Sequence, residues 1–420
     1  MKTNIFVGIA LCLLLCCTLP VAASDYTLGV FGNANEDDTI NMQDVTYTEL
    51  IILEYRDRTD LADAKYDGKV NMQDVTQIEL VILGRELELT VSMYTRGTAG
   101  SADITEVPVT ISKPVERIFP TPSDVVSVMR SLKLEKDRIV GITSRVKGGD
   151  AYFPEFSELP CIGTRPMDYE AILNLHPDLV IVGTSSLEKH AEKLPGVTVV
   201  AFDCWRPETH VDEIRRLGYI IDKEDEALEY IDFYSGVMDT IKDAVDEIPE
   251  ADRPKVYFES RSPYGTGGEG SGYHAKVTAA GGNNIFGDLS GYPKVDAEEV
   301  IKRNPEIIVK KPGSSGADSY YLGADITELT DAITEIINRP ELAKVEAVKD
   351  ERVYAVHGSP IEGARHFVGI AYMAKWFHPE LFEELDPDAI HQEYITEYQE
   401  LPDDFLDTHG VFVYPPFEES

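Results

Sequence analysis

The chain has 420 residues, and its 75 acidic residues against 38 basic ones give a formal net charge of −37 at pH 7. With 43% hydrophobic residues, this length suffices for two or three domains that each bury a core. Affinity for nucleic acid depends on Lys and Arg side chains that displace counterions from phosphates, so the composition argues against a nucleic-acid partner.

Residues 1–24 have the order of a secretory signal peptide. Lys2 is followed by an apolar run over residues 5–19 and then by the small residues Ala22, Ala23 and Ser24. The sequence therefore predicts an exported, extracytoplasmic protein. An uncleaved N-terminal membrane anchor and lipid attachment at Cys16 or Cys17 are the alternatives. No later apolar run approaches the ~20 residues that cross a bilayer.

The six residues NMQDVT occur at 41–46 and again at 71–76, each time between a polar loop and an apolar run. Oxygen-bearing side chains at loop positions 1, 3, 5, 9 and 12, with a backbone carbonyl at position 7, suit a calcium ion. Position 7 is Thr39 in the first loop and Lys69 in the second. The predicted calcium ligands are Asn33, Asn35, Asp37, Thr39, Asn41, Asp44, Asp63, Asp67, Lys69, Asn71 and Asp74.

Two loop–helix units of this kind, over about residues 28–84, resemble a dockerin module. The resemblance implies two calcium ions and a helical surface that docks onto a cohesin domain of another protein. Asp38 replaces the usual turn glycine of the first loop, and Asn33 replaces its leading aspartate. Lys65, at position 3 of the second loop, would place a cation beside the ion. An acidic helical hairpin without metal is the alternative.

A second repeat pairs MDYEAILNLHPDLVIV at 167–182 with VDAEEVIKRNPEIIVK at 295–310. In both copies a glutamate, Glu170 or Glu298, precedes a proline by seven residues. The proline ends a short helix, and the apolar run after it predicts a strand buried on both faces of a parallel sheet. Two copies predict two similar α/β lobes, and the apolar spacing over 222–248 predicts one long helix between them.

Segments in both halves, including 113–132, 160–186, 253–259 and 279–309, resemble the iron-siderophore and cobalamin class of solute-binding proteins that serve ABC importers. The resemblance implies a class III α/β fold with two Rossmann-like lobes joined by one long helix. The predicted division is a signal peptide (1–24), a dockerin-like module (25–88), an N-terminal lobe (89–221), a linking helix (222–250), a C-terminal lobe (251–395) and an acidic tail (396–420).

The same resemblance implies that a metal chelate, namely a corrinoid, a ferric siderophore or a haem-like compound, binds between the lobes. A permease and ATPase complex would then receive the solute. Residue by residue, the glutamates that dock on the permease correspond to Glu170 and Glu298. In the alternative interpretation, each carboxylate only stabilises the first turn of its helix by interacting with the helix dipole.

Ligands of open α/β sheets bind near the carboxyl ends of the strands, which places the cleft residues on the loops that follow the predicted strands. Arginine suits anionic groups, aromatic rings suit a flat macrocycle, and histidine can ligate iron or cobalt. The predicted ligand-binding residues are Thr121, Pro122, Ser123, Arg165, Trp205, Arg206, Arg261, Tyr264, Tyr273, His274, Arg365 and His366.

No nucleophile elbow, zinc-protease helix motif or Walker loop occurs in the sequence, so we expect a binding protein and no enzyme. The alternative function is an extracellular assembly or adhesion protein that attaches to a cohesin-bearing partner through the dockerin-like module.

Overall fold

The computed structural model describes residues 27–98, 103–164, 166–313, 320–321 and 325–416, so the predicted signal peptide and Arg165 lie outside the described residues. The helices are α1 Met42–Ile52, α2 Met72–Ile82, α3 Ser123–Ser131, α4 Ser144–Lys147, α5 Tyr169–Asn174, α6 Leu187–Ala191, α7 His210–Ile221, α8 Glu224–Asp246, α9 Gly272–Ala279, α10 Ala297–Arg303, α11 Ile326–Ile337, α12 Glu346–Lys349, α13 Gly358–Ile361, α14 His366–Phe377, α15 Pro387–Glu393 and α16 Phe405–His409. The strands are β1 Glu88–Thr95, β2 Thr105–Ser112, β3 Ile118–Pro120, β4 Ile142–Thr143, β5 Cys161–Ile162, β6 Leu179–Val182, β7 Thr198–Ala201, β8 Lys255–Glu259, β9 Asn283–Asn284, β10 Ile307–Lys310, β11 Val353–Val356 and β12 Val413–Tyr414.

Two separate sheets form the cores of two lobes. In the first lobe β3, β6 and β7 pair in parallel, and β4 pairs with β5 beside them. In the second lobe the order is β12-β11-β10-β8-β9, with β12 antiparallel to its neighbour. All four residues of β6 and of β10 are buried, as expected for strands covered on both faces. The predicted two-lobed α/β class is confirmed.

Helix α8 follows the first lobe and precedes the second. Its 23 residues span about 35 Å at 1.5 Å per residue. The buried face includes Tyr230, Ile231, Tyr234 and Ile241, which recur every three or four residues. Leu228, an apolar residue of the same helix, lies off this face with 39% of its surface exposed. No helix within the described ranges is long and apolar enough to span a membrane.

The repeated loops precede α1 and α2, and each helix begins with a capping box. Asn41 and Asp44 form the first box, and Asn71 and Asp74 form the second. The side chain of each asparagine accepts a backbone N–H group of the first turn, and the aspartate accepts the N–H group of the asparagine. The identical six-residue stretches therefore specify two identical helix starts.

This N-terminal unit packs against the first lobe. The hairpin β1–β2 lies between them, and Val30 bridges to Val91 of β1. Arg215 of α7 contacts both the carboxylate of Asp38, at 3.3 Å, and its carbonyl oxygen, at 2.8 Å. The backbone N–H of Ile40 donates to the hydroxyl of Tyr219 on the same helix. The first loop is therefore held by α7.

The C-terminal segment differs from the predicted acidic tail over 396–420, because up to residue 416 it is built into the fold. Residues Tyr394–Tyr398 form a π-helical turn, α16 follows, and β12 pairs with β11. Gln399 is buried against the first lobe. Its side-chain oxygen accepts from Arg130 at 2.7 Å and from the Tyr152 hydroxyl at 2.7 Å, while its amide donates to Ser131 at 2.6 Å.

We expect Gln399→Ala to lower the free energy of unfolding by about 2 kcal/mol, because it removes one acceptor of the Arg130 guanidinium and the acceptor of the buried Tyr152 hydroxyl. Urea unfolding followed by circular dichroism measures this loss. The exposed neighbour variant Glu397→Ala is the matched control and should leave stability unchanged. Equal stability of the two variants would mean that the segment does not secure the lobes.

Candidate functional site

A cavity of ≈ 250 Å³ opens between the two lobes, at the carboxyl ends of their strands. The first lobe supplies residues that follow β3, β4 and β7, and the second lobe supplies residues that follow β8, β10 and β11. The lining residues are Asp124, Arg145, Trp205, Arg261, Gly272, Tyr273, Lys276, Tyr292, Tyr320, Glu362 and Gly363.

Aromatic rings from both lobes form one part of the wall. Trp205 lies so close to Gly272 of the opposite lobe that a Cβ atom there would stand 2.7 Å from the indole ring, which explains the glycine. Tyr273 stacks on Phe258 with ring centroids 4.5 Å apart. These contacts fix the orientation of two flat surfaces toward the cavity.

Buried charges form the rest of the wall. Glu362 accepts from the Tyr273 hydroxyl at 3.2 Å and forms ion pairs with Arg261 at 3.1 Å and with the fully buried Lys311 at 3.0 Å. Burial raises the pKa of Asp124, an effect opposed by the nearby charges of Arg365 and Arg145.

Three lining cations, Arg145, Arg261 and Lys276, stand against two lining carboxylates, Asp124 and Glu362. The surface of the cavity is therefore more basic than the strongly acidic chain as a whole. Such a wall favours a solute that carries negative charge.

Of the predicted ligand-binding residues, Trp205, Arg261 and Tyr273 line the cavity. Thr121 and Pro122 do not line it; the N–H of Thr121 donates to Ile181 and Pro122 precedes α3. Ser123 is covered by Tyr320, whose hydroxyl donates to it. The loop after β3 therefore contributes Asp124 instead.

Two of the predicted arginines are used for internal contacts. Arg206 is 2% exposed, pairs with Asp203 at 3.3 Å and crosses to the second lobe, where it donates to the carbonyl of Gly270. Arg365 is fully buried, its Nε donates to the carbonyl of Ser359, and its guanidinium lies over the Tyr152 ring at 5.2 Å.

The remaining predicted residues also point away from the cavity. Tyr264 donates to Glu341 at 2.6 Å on the outside of the second lobe. His274 of α9 faces β9, where its Nδ1 lies 3.1 Å from the Nδ2 of Asn284. His366 is fully buried between Tyr234 and the carbonyl of Gly363, and burial holds its pKa well below the usual value. Neither histidine is placed to ligate a metal in the cavity.

Sequence reasoning missed Asp124, Arg145, Lys276, Tyr292, Tyr320 and Glu362. Arg145 had a usable signal, since it lies two residues after a short buried strand. Glu362 precedes Gly363, which has a φ of +74°. A Cβ atom added to Gly363 would stand 2.4 Å from Oδ1 of Asp124, so the backbone approaches Asp124 closely at this position. Tyr320 lies in a polar stretch that carries no periodic signal.

The two glutamates of the second repeat occupy equivalent places on the two lobes. Glu170 lies in the first turn of α5 and Glu298 in the first turn of α10, and both are exposed. Each helix is capped by an aspartate, Asp168 or Asp296, that accepts from an N–H group of the first turn.

The first repeated loop contains one buried oxygen that lacks a donor. Asn33 is fully buried and its amide nitrogen donates to the carbonyl groups of Leu28 and Asp37, but none of the described residues donates a hydrogen bond to its Oδ1. Asn35 and Asp37 each accept a backbone N–H within the loop. In the described part of the chain, no group of three or more His, Cys, Asp or Glu side chains is placed to hold a metal ion.

In the second loop, donors from the protein itself occupy the oxygen atoms that a calcium ion would need. Arg58 pairs with Asp63 at 3.2 Å and donates to the carbonyl of Gly68 at 3.0 Å. The carboxylate of Asp63 also accepts the N–H groups of Asp67 and Gly68. A guanidinium therefore neutralises the leading aspartate of this loop.

Two α/β lobes joined by a long helix around a charged cavity define a class III solute-binding fold. The chain belongs to the periplasmic binding protein family, whose family model matches residues 134–360. It is thus a solute-binding component of an ABC importer, and proteins of this non-enzymatic class work with a permease and ATPase complex.

Several known proteins are similar to this chain. The uncharacterized ABC transporter substrate-binding lipoprotein YvrC of Bacillus subtilis is 24% identical over 292 residues, which cover 67% of this chain and 86% of that protein. The vitamin B12-binding protein of Salmonella paratyphi A is 28% identical over 164 residues, or 38% of this chain and 60% of that one. The molybdate periplasmic binding protein MolA of Haemophilus influenzae, bound to molybdate, superposes with a TM-score of 0.56 at 20% identity, covering 70% and 96% of the two chains.

Proposed function

We propose that the protein captures a metal chelate, such as a ferric siderophore, a corrinoid or a haem-like compound, in the interlobe cavity and delivers it to its permease. The observation that carries this proposal is the cavity wall, in which Trp205 and Tyr273 offer flat apolar surfaces and Arg145 and Arg261 offer positive charge. Ring faces suit the organic part of a chelate, and guanidinium groups suit its anionic oxygens.

The relatives support a chelate or an oxyanion as the solute. The names of the relatives include a vitamin B12-binding protein and a molybdate-binding protein. Both solutes contain a metal, which is consistent with the proposed class.

Titration of the purified protein with cobinamide, cobalamin, haemin, ferric siderophores and molybdate tests the proposal. We expect one compound to bind saturably at one site and to quench the fluorescence of Trp205, because this indole lies on the cavity wall. Trp205→Phe should abolish most of the quenching while binding persists in calorimetry. Absence of binding by every compound at high micromolar concentration would contradict the metal-chelate assignment.

We further propose that Glu170 and Glu298 dock the two lobes on the permease. Both side chains are exposed, neither has an ion-pair partner among the described residues, and their helices repeat the same cap geometry. One acidic anchor on each pseudo-symmetric lobe matches the two-fold symmetry expected of a permease dimer.

The double variant Glu170→Ala with Glu298→Ala should reduce solute uptake by cells at least tenfold while leaving solute affinity in vitro unchanged. Removing both anchors weakens docking and does not touch the cavity. The matched control replaces two other exposed glutamates, Glu192 and Glu384, with alanine. Normal uptake by the first double variant would contradict the docking assignment.

We also propose that the first repeated loop binds one calcium ion. The support is the buried Oδ1 of Asn33, which lacks a donor and lies at position 1 of a loop rich in oxygen ligands. Thr39 and Asn41 complete the loop ligands, and Asp44 at position 12 supplies a second carboxylate besides Asp37. When bound, the ion would cross-link this loop and stabilise it against α7.

The second loop fits calcium poorly, because Arg58 already neutralises Asp63 and Lys65 adds a further positive charge. Lys69, Asn71 and Asp74 keep the loop geometry of the first copy without the buried acceptor. The predicted pair of calcium ions therefore reduces to one.

Isothermal titration with calcium should give a stoichiometry of one per chain. Asp37→Ala should abolish this binding, whereas Asp67→Ala, the equivalent change in the second loop, should leave it unchanged. Chelation should accelerate amide hydrogen exchange over residues 33–44 and leave residues 63–74 unaffected. Two ions per chain, or equal effects of the two variants, would overturn the proposed asymmetry.

A cohesin-type partner for this unit stays a prediction. Four apolar side chains at equivalent places of the two repeats support it: Met42 and Met72 are 59% and 57% exposed, and Leu53 and Leu83 are 62% and 63% exposed. Exposed apolar surface of this kind marks sites of protein contact.

A further inference from the structure

Lys276 is a buried cation on the wall of the interlobe cavity. It lies on α9, only 3% of its surface is exposed, and it contributes to the cavity lining. Its Nζ lies 5.9 Å from the centroid of the Trp205 ring and 6.0 Å from that of the Tyr273 ring. Both lobes therefore surround this ammonium group.

No residue in the described ranges accepts a hydrogen bond from Lys276. The two carboxylates of the cavity wall are engaged elsewhere: Glu362 accepts from Tyr273 and pairs with Arg261 and Lys311, and Asp124 faces Arg365 and Arg145. The ammonium group opens onto the cavity, where an oxygen atom from outside the chain, of water or of a solute, can complete its hydrogen bonds.

The size of the cavity limits what supplies this oxygen. A volume of ≈ 250 Å³ lies below the 300–1,000 Å³ typical of sites that enclose a drug-sized ligand. The cavity therefore encloses a compact solute, or one end of a larger solute whose remainder extends between the lobes.

We propose that Lys276 determines solute specificity by binding an anionic oxygen of the solute, so that the cavity selects an anionic, oxygen-ligated metal complex over a corrinoid or another chelate without negative charge. This inference rests on the proposed function and narrows it. A negative oxygen placed against Nζ, between Trp205 and Tyr273, supplies an acceptor that the described residues do not provide.

The protonation of Lys276 supports this role. The pKa of Lys276 is lowered to about 8, chiefly by burial and to a smaller extent by Arg206, while Glu362, Asp124 and Glu208 act in the opposite direction. The other charged groups of the wall are Arg145 and Arg261. An anion bound to Nζ favours the protonated form and raises the pKa, so binding above pH 8 takes up a proton and affinity falls as the pH rises.

The test compares binding of five probes to the full-length mature protein and to Lys276→Gln. Three probes are anionic: a ferric tris-catecholate, ferric citrate and molybdate. The other two, cobinamide and an uncharged ferric tris-hydroxamate, carry no negative charge. We expect an anionic probe to bind the native protein and to lose at least tenfold in affinity in the variant. Lys302→Gln, on the exposed surface of α10, is the matched control and should bind like the native protein.

A second readout needs no variant. Calorimetry at pH 8.5 in two buffers of different ionisation enthalpy should show proton uptake on binding of the anionic probe, and none at pH 6. Two results would overturn the role of Lys276 while leaving the proposed function intact. One is tight binding of an uncharged probe with the same affinity for the native protein and for Lys276→Gln. The other is binding of an anionic probe without proton uptake at pH 8.5. Failure of all five probes would overturn both.

Discussion

Burial of positive charge between two lobes is the constraint on which this structure depends. Lys276, Lys311 and Arg365 are nearly inaccessible to water although the chain as a whole is strongly acidic. Isolated buried charges are unfavourable, so counter-charges must converge on them from different parts of the chain. Glu362 does this for Lys311 and Arg261, and tyrosine rings surround Arg365. Lys276, from which no described residue accepts a hydrogen bond, faces the cavity, where a solute can supply the acceptor.

The spacing of the lobes follows from contacts on both sides of the cavity. Helix α8 joins the lobes through the chain, and Gln399 of the C-terminal segment is anchored to Arg130 and Tyr152 of the first lobe. Tyr321 of the second lobe stacks on Tyr152 at 5.2 Å. These packed contacts restrict how far the lobes separate, so recognition relies on side chains that are already in place.

The N-terminal unit shows how two copies of one motif acquire different chemistry. The helix starts are the same because the capping residues are the same. The loops differ because Asn33 leaves a buried oxygen without a donor, whereas Arg58 supplies donors to the second loop. The contact between Arg215 and Asp38 then couples the first loop to the solute-binding lobe.

The sequence by itself determined the elements whose signals are local: the two helices after the repeated loops, the buried strands β6 and β10, the long helix α8 and the first-turn positions of Glu170 and Glu298. It also identified Trp205, Arg261 and Tyr273 as residues of the cavity. Only the tertiary structure decided that Arg206, Arg365 and His366 turn inward and that Lys276 and Glu362 line the cavity. The physical reason is that the direction of a loop side chain depends on partners distant in the chain, which periodicity and turn signals do not encode.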